Sequence, residues 1–213
     1  MAVPSLSAAN PTVPASGASG VCPVWAKTAL LALQDLEIGS PYYSRALRGD
    51  GVVSRGEVIY ALNEMLRDAD RYIPGPASQV DLKWYATAPN DIAADNLIAA
   101  TEYFGEHVDL TDPFMLRPAH RSTLARYVFT VMHVNNLRPN VSPADTPLYR
   151  DLDPKGERAY DYFEVIEEGV MVGDPAPAGK PDERMFREQR PLKRSELAVA
   201  LMRLRALLKP GAA

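Results

Sequence analysis

Residues 117–125, RPAHRSTLA, and residues 190–198, RPLKRSELA, agree at Arg, Pro, Arg, Ser, Leu and Ala. In each, the proline sits just ahead of a polar helix start. Leu124, Val128 and Val131 then follow the first at helical spacing, and Leu197, Leu201 and Leu204 follow the second. The spacing predicts helices beginning near Arg121 and Arg194. A third stretch, residues 52–66, VVSRGEVIYALNEML, has the same layout, with Ser54 as N-cap, Arg55 and Glu57 in the first turn, and Val58, Leu62 and Leu66 on one face. Each helix carries a single apolar stripe, so the three are expected to meet through those stripes. A pattern met three times in one chain reads as an internal repeat.

Working outward, two Pro-rich breaks, residues 73–78 and 138–143, should halt any helix, because proline lacks the N–H and clashes with the preceding turn. They divide the chain into a Pro/Ser/Ala-rich start at 1–21 and three segments at 22–72, 82–138 and 147–209. Each segment closes on one of the stretches above and opens on another amphipathic stretch. The opening helices are expected from Trp25 to about Leu36, from Ile92 to Phe104, and from Ala159 to Glu168, the last two stopped at Gly105 and Gly169 in the manner of an αL cap. Strand signals are thin: residues 108–110 and 170–172 are short enough to be turns or isolated bridges. The fold class expected is mainly α.

Composition narrows the function classes. The chain has 213 residues, 46% of them apolar, which is enough for a sizeable core and argues against wholesale disorder. Lys and Arg number 23 against 27 Asp and Glu, and with a net charge of −4 and no basic block, nucleic acid is not an expected partner. No stretch reaches the roughly 18 apolar residues that a membrane span needs. The lone Cys22 excludes an intrachain disulfide framework. His107, His120 and His133 lie thirteen residues apart in turn, without the close pairing that metal ligation on a helix face requires. The first twenty residues carry neither a basic start nor an apolar run and read as a flexible linker.

The three segments resemble the S-layer homology (SLH) repeats that anchor bacterial surface proteins to the cell wall. The third segment carries most of the likeness. LYRDLDP, ERAYDYFEVIEEGVMVGD, MFREQRP and LKRSELAVALMRL are similar in order to that family's Asp-bearing start, its first helix with a Gly-bounded apolar turn, its Phe-x-Pro approach and its Thr-Arg-Ala-Glu helix start. The first segment adds the Trp25-Ala26 opening and Ser54-Arg55-Gly56-Glu57. The second adds Phe104-Gly105, Leu116-Arg117-Pro118 and Arg121-Ser122-Thr123, with Thr123 where the acid would stand. The resemblance implies three helix-loop-helix repeats in a pseudo-threefold arrangement. It also implies a non-catalytic anchoring function at the cell envelope: binding of an anionic secondary cell-wall polysaccharide, or a peptidoglycan-linked glycan, in grooves between repeats. Arg55, Arg121 and Arg194 would meet the anionic sugar, helped by helix N-termini that favour a carboxylate. Glu57 and Glu196 would cap the helices and hold the neighbouring arginines, while Asp151 and the Gly169/Gly173 turn would allow close backbone approach. No cofactor or metal is implied.

Alternatives stand beside these roles. A first-turn arginine is often simply salt-bridged. Trp25 and Trp84 fit stacking on sugar, but a tryptophan opening an amphipathic helix is more often a core residue. Tyr42, Tyr43, Tyr160 and Tyr162 fit half-buried packing equally well. Asp50, Gly51 and Glu57 mimic the back half of a calcium-binding loop, yet its first and third positions would be Ala46 and Arg48, which supply no side-chain oxygen and one positive charge. No nucleophile elbow, zinc-protease signature or framed acid pair points to an enzyme. A different class of function is a structural scaffold that keeps the repeat fold and uses its outer face against another envelope protein.

Overall fold

The computed structural model describes residues 23–38, 49–69, 71, 117–137, 149–153, 156, 159–180 and 183–210. Among these residues a 3-10 turn at Val24–Ala26 is followed by five helices: α1 Lys27–Asp35, α2 Arg55–Asp68, α3 Arg121–Val134, α4 Ala159–Glu167 and α5 Arg194–Leu208. The described residues are thus mainly α and include no strand, only four isolated bridges. The helix starts fall where the sequence puts them, at Arg55, Arg121 and Arg194. The expected opening helix at 92–104 and its Gly105 stop, the short stretch at 108–110, both Pro-rich breaks, Cys22, His107, Trp84, Tyr42 and Tyr43 lie outside the described residues.

The local signals explain the ends. Ser54 Oγ accepts from Glu57 N–H at 3.2 Å, and the Glu57 carboxylate accepts from Ser54 N–H at 3.1 Å, a reciprocal capping box. Glu196 accepts from Lys193 N–H at 3.1 Å in the same way, but Lys193 has no oxygen to return the bond. At α3 neither half exists, because His120 and Thr123 stand in those places and His120 makes no side-chain cap. Beyond α4, Gly169 adopts φ +68°, the left-handed conformation that a glycine stop provides, and its N–H bonds Ile166 O at 2.9 Å.

The residues just ahead of α2, α3 and α5 are tied together by the backbone itself. Val53 N–H donates to Leu192 O at 3.0 Å, Leu192 N–H to Ala119 O at 2.8 Å, and Ala119 N–H to Val53 O at 2.9 Å. These three bonds form a closed ring. Two residues on, the pattern recurs: Arg55 N–H reaches Arg117 O at 3.0 Å, Arg121 N–H reaches Arg190 O at 3.1 Å and Arg194 N–H reaches Gly51 O at 2.8 Å. The first N–H groups of a helix have no partner within it, so each helix start here is satisfied by the stretch leading into another.

Below the ring, Val58, Leu62 and Leu66 of α2, Leu124, Val128 and Val131 of α3, and Leu197, Leu201 and Leu204 of α5 are all fully buried. The predicted stripes therefore form the core, with α2 packed against both α3 and α5. The opening helices dock across segment boundaries. Helix α1, from the first segment, packs on α5 of the third, and α4, from the third, packs on α3 of the second. Consequently α3 is covered on several sides, and every residue from Arg121 to Met132 is buried.

Candidate functional site

The arginines at the helix starts face carboxylates of the next helix start. Arg194 Nη2 lies 3.1 Å from Glu57 Oε1, and Arg121 Nη1 lies 2.5 Å from Glu196 Oε1. The two Glu residues at the capping position thus serve twice, holding a helix N-terminus and the guanidinium that crosses the seam. The place matching them in the second segment is Thr123, which is buried.

Arg121 is the most enclosed of the three, with 4% of its surface exposed. Its Nε donates to Phe186 O at 2.8 Å, its Nη2 to Val172 O at 2.6 Å, and its Cζ stands 4.7 Å from the centre of the Phe186 ring. Each of the three guanidinium nitrogens thus donates to protein, so the group braces the seam. Burial lowers its pKa, and the Glu196 carboxylate opposes that shift. Arg194 has a side chain 13% exposed, and Arg55 is half-buried.

Glu196 is the hub of the third segment. Besides Arg121 and Lys193 N–H it receives Arg190 Nη2, while Arg190 Nη1 reaches Asp174 Oδ1 at 3.2 Å. Asp174 also meets Arg187 Nε at 2.6 Å. Asp151 accepts from Phe186 N–H at 2.7 Å and Arg187 N–H at 2.5 Å, which pins residues 186–187 against the chain at 149–152. Gly173 lies where a Cβ would come within 2.0 Å of the Tyr149 ring and 2.6 Å of Met185 O, and its N–H bonds the Tyr149 hydroxyl at 3.0 Å. The close backbone approach at Gly173 is therefore to Tyr149 and Met185.

Trp25 stands apart from this network and is 61% exposed beside Val24, at 91%, so the core reading of this tryptophan does not hold. Tyr162, by contrast, is buried against Phe186, with ring centroids 5.5 Å apart. Phe186 and Arg187 lie in the MFREQRP stretch, but the sequence assigns no role to them, to Asp174 or to Arg190. Arg190 had a signal, since it opens RPLKRSELA as Arg117 opens RPAHRSTLA, and both offer the carbonyl that accepts the next helix start. Among the described residues no three His, Cys, Asp or Glu side chains converge as metal ligands do.

No family model, curated protein or solved structure matches the chain.

Glu57 offers a pH test of the seam. Burial is the main influence and raises its pKa above the ordinary 4.5, while Arg194 and the Ser54 N–H pull it back only in part. A carboxyl with a raised folded-state pKa contributes stability that is full below its unfolded value and is lost as pH rises through the folded one. Glu57→Gln keeps an acceptor for Ser54 N–H and removes the titration. The stability of the native chain relative to Glu57→Gln is expected to fall as pH climbs from below 4.5 toward neutral. Urea unfolding at a series of pH values measures this; a difference that grows with pH would show that Arg194 dominates instead.

Proposed function

We propose that the chain is a non-catalytic anchoring module of S-layer homology type, with three repeats about a pseudo-threefold axis, that holds an anionic cell-wall polysaccharide or peptidoglycan-linked glycan. The observation that carries this reading is the closed ring of main-chain bonds through Val53, Ala119 and Leu192, which are matching positions of the three repeated stretches. The seam pairs Arg121–Glu196 and Arg194–Glu57 join matching positions in the same rotational sense, and so do the docking of α1 on α5 and of α4 on α3. On this reading the glycan would lie where one unit meets the next, beside the first-turn arginines that remain within reach of solvent.

Within this reading Arg121 has a positioning role, because a ligand could reach it only by displacing Glu196, Phe186 and Val172. Arg55 and Arg194, nearer the surface, rim their grooves as ligand contacts, with Glu57 and Glu196 orienting the helix starts. The module acts at the cell envelope and calls on no cofactor. No helix of the described residues is long and apolar enough to cross a membrane.

Sedimentation with purified cell-wall sacculi tests the reading. The full chain is expected to pellet with intact sacculi and to stay in solution once the secondary polymer is stripped. A chain that never pellets would overturn it and favour the scaffold reading, whose supporting observation is the exposed apolar pair Val24 and Trp25.

A further inference from the structure

The third segment carries a recess outside the seams. Arg150, Asp174, Pro175, Pro177, Glu183, Met185 and Arg187 line a shallow concavity of about 270 Å³. A second concavity, of about 380 Å³, is lined by Asp151 and residues 187–190. The two share Arg187 as a common wall.

Three features make this a formed site. The walls are fixed: Asp174 and Met185 pair as a bridge, Arg150 N–H bonds Arg184 O at 2.9 Å, and Asp151 grips the 186–187 backbone. Arg187 itself holds φ +58°, a conformation costly for a side-chain-bearing residue and sustained here by those bonds. The cations are also available. The Arg150 guanidinium meets no partner among the described residues, and Arg187, 53% exposed, gives only its Nε to Asp174, leaving its Nη edge open. Finally, the chemistry is mixed, with two proline rings and a methionine as an apolar base and guanidinium and carboxylate groups at the rim.

We propose that this double recess binds a carboxylate-bearing saccharide, with the sugar's CH face on Pro175, Pro177 and Met185, its carboxylate on Arg150 and the open edge of Arg187, and its hydroxyls donating to Asp174 or Glu183. Arginine presents a fork of donors that matches a carboxylate in two bonds, and a few fixed polar groups on an apolar base give orientation. Two concavities that share one arginine suit successive residues of an extended chain. The inference rests on the reading of the molecule as a glycan-binding module, but it puts the contact on loop residues of one segment.

Calorimetric titration of the full chain with short oligogalacturonate, neutral maltooligosaccharide and inorganic polyphosphate separates the outcomes. Oligogalacturonate is expected to bind, Arg150→Gln and Arg187→Gln are each expected to weaken it by about tenfold or more, and maltooligosaccharide is expected to give no heat. Lys27→Gln, at an exposed position away from the recess, should leave binding unchanged. The Arg150 side chain is exposed and meets no partner among the described residues, so its variant is expected to read binding with little effect on the fold. Absence of oligogalacturonate binding, an unchanged Arg150→Gln, or polyphosphate binding of equal strength and equal sensitivity to these variants would each overturn the proposal. Sacculus pelleting keeps the two claims apart: if the native chain and Arg150→Gln pellet equally, the recess is wrong and the anchoring reading stands, whereas if the native chain does not pellet the anchoring reading itself fails.

Discussion

Arg121→Ala is expected to destabilise the fold by about 3–5 kcal/mol, the range for removing one partner of a buried ion pair. The cost has several sources in this site. Glu196, with a side chain 12% exposed, keeps Arg190 but loses its most enclosed cation. Phe186 O loses the donor of a buried bond, and an unmet buried acceptor costs about 1–3 kcal/mol, while Val172 O, on an exposed residue, loses its donor at smaller cost. The Phe186 ring loses the guanidinium over its face. Arg121→Met restores volume over that ring without the donors and is expected to fall between native and Ala. Urea unfolding should show a lower midpoint with an unchanged slope, the signature of lost stability rather than of an altered denatured state. A loss below about 1 kcal/mol would mean that the pair behaves as a solvated surface bridge, contrary to its burial.

The helix starts were legible because their signals are local. Proline ahead of a polar start, a capping Ser or a first-turn Glu, and apolar residues at helical spacing specify Arg55, Arg121 and Arg194 without knowledge of anything distant. The stripes were legible for the same reason, and the fully buried Leu62, Leu124, Leu197 and Leu201 follow directly from them. What spacing could not reveal is which helix each opening stretch would cover. Read segment by segment, α1 and α4 belong with α2 and α5, yet α1 lies on α5 and α4 on α3, an arrangement set by tertiary packing. The helix stops show the same limit. Gly169 was readable as a left-handed cap, but Glu37 at φ +57° and Asn136 at φ +56° adopt that conformation beyond α1 and α3, and a Glu there carries no sequence signal.

The site divides along the same line. Residue type and position marked Arg121 and Arg194 and their acids Glu57 and Glu196, but not how deeply Arg121 is enclosed. That enclosure comes from Phe186 and Val172, residues 65 and 51 positions away in the chain. Burial of this kind turns a first-turn arginine, suited in isolation to an anion, into a brace. Arg150 and Arg187 escaped notice for the opposite reason: they belong to no repeated motif, and they come together only because residues 149–152 and 183–187 are bound to each other by Asp151 and by the Arg150–Arg184 main-chain bond.

Phe186→Ala is expected to cost a further large amount, about 3–5 kcal/mol, as for other buried Phe truncations. The ring is fully buried and packs on Tyr149 at 5.8 Å and Tyr162 at 5.5 Å between centroids, the former edge-on. Its main chain is held from both directions, since the N–H donates to Asp151 and the carbonyl accepts from Arg121. Phe186 therefore joins the seam to the loop that carries the recess, and its loss should be felt by Arg121. In a double-mutant cycle with Arg121→Ala, the combined loss is expected to fall short of the sum by about 0.5–3 kcal/mol, the range for residues in direct contact. Phe186→Leu, which fills most of the space without a ring for the guanidinium, should recover part of the stability but little of the coupling. Strict additivity of the two Ala variants would mean that seam and loop are held independently, and that the contact between guanidinium and ring contributes nothing to either.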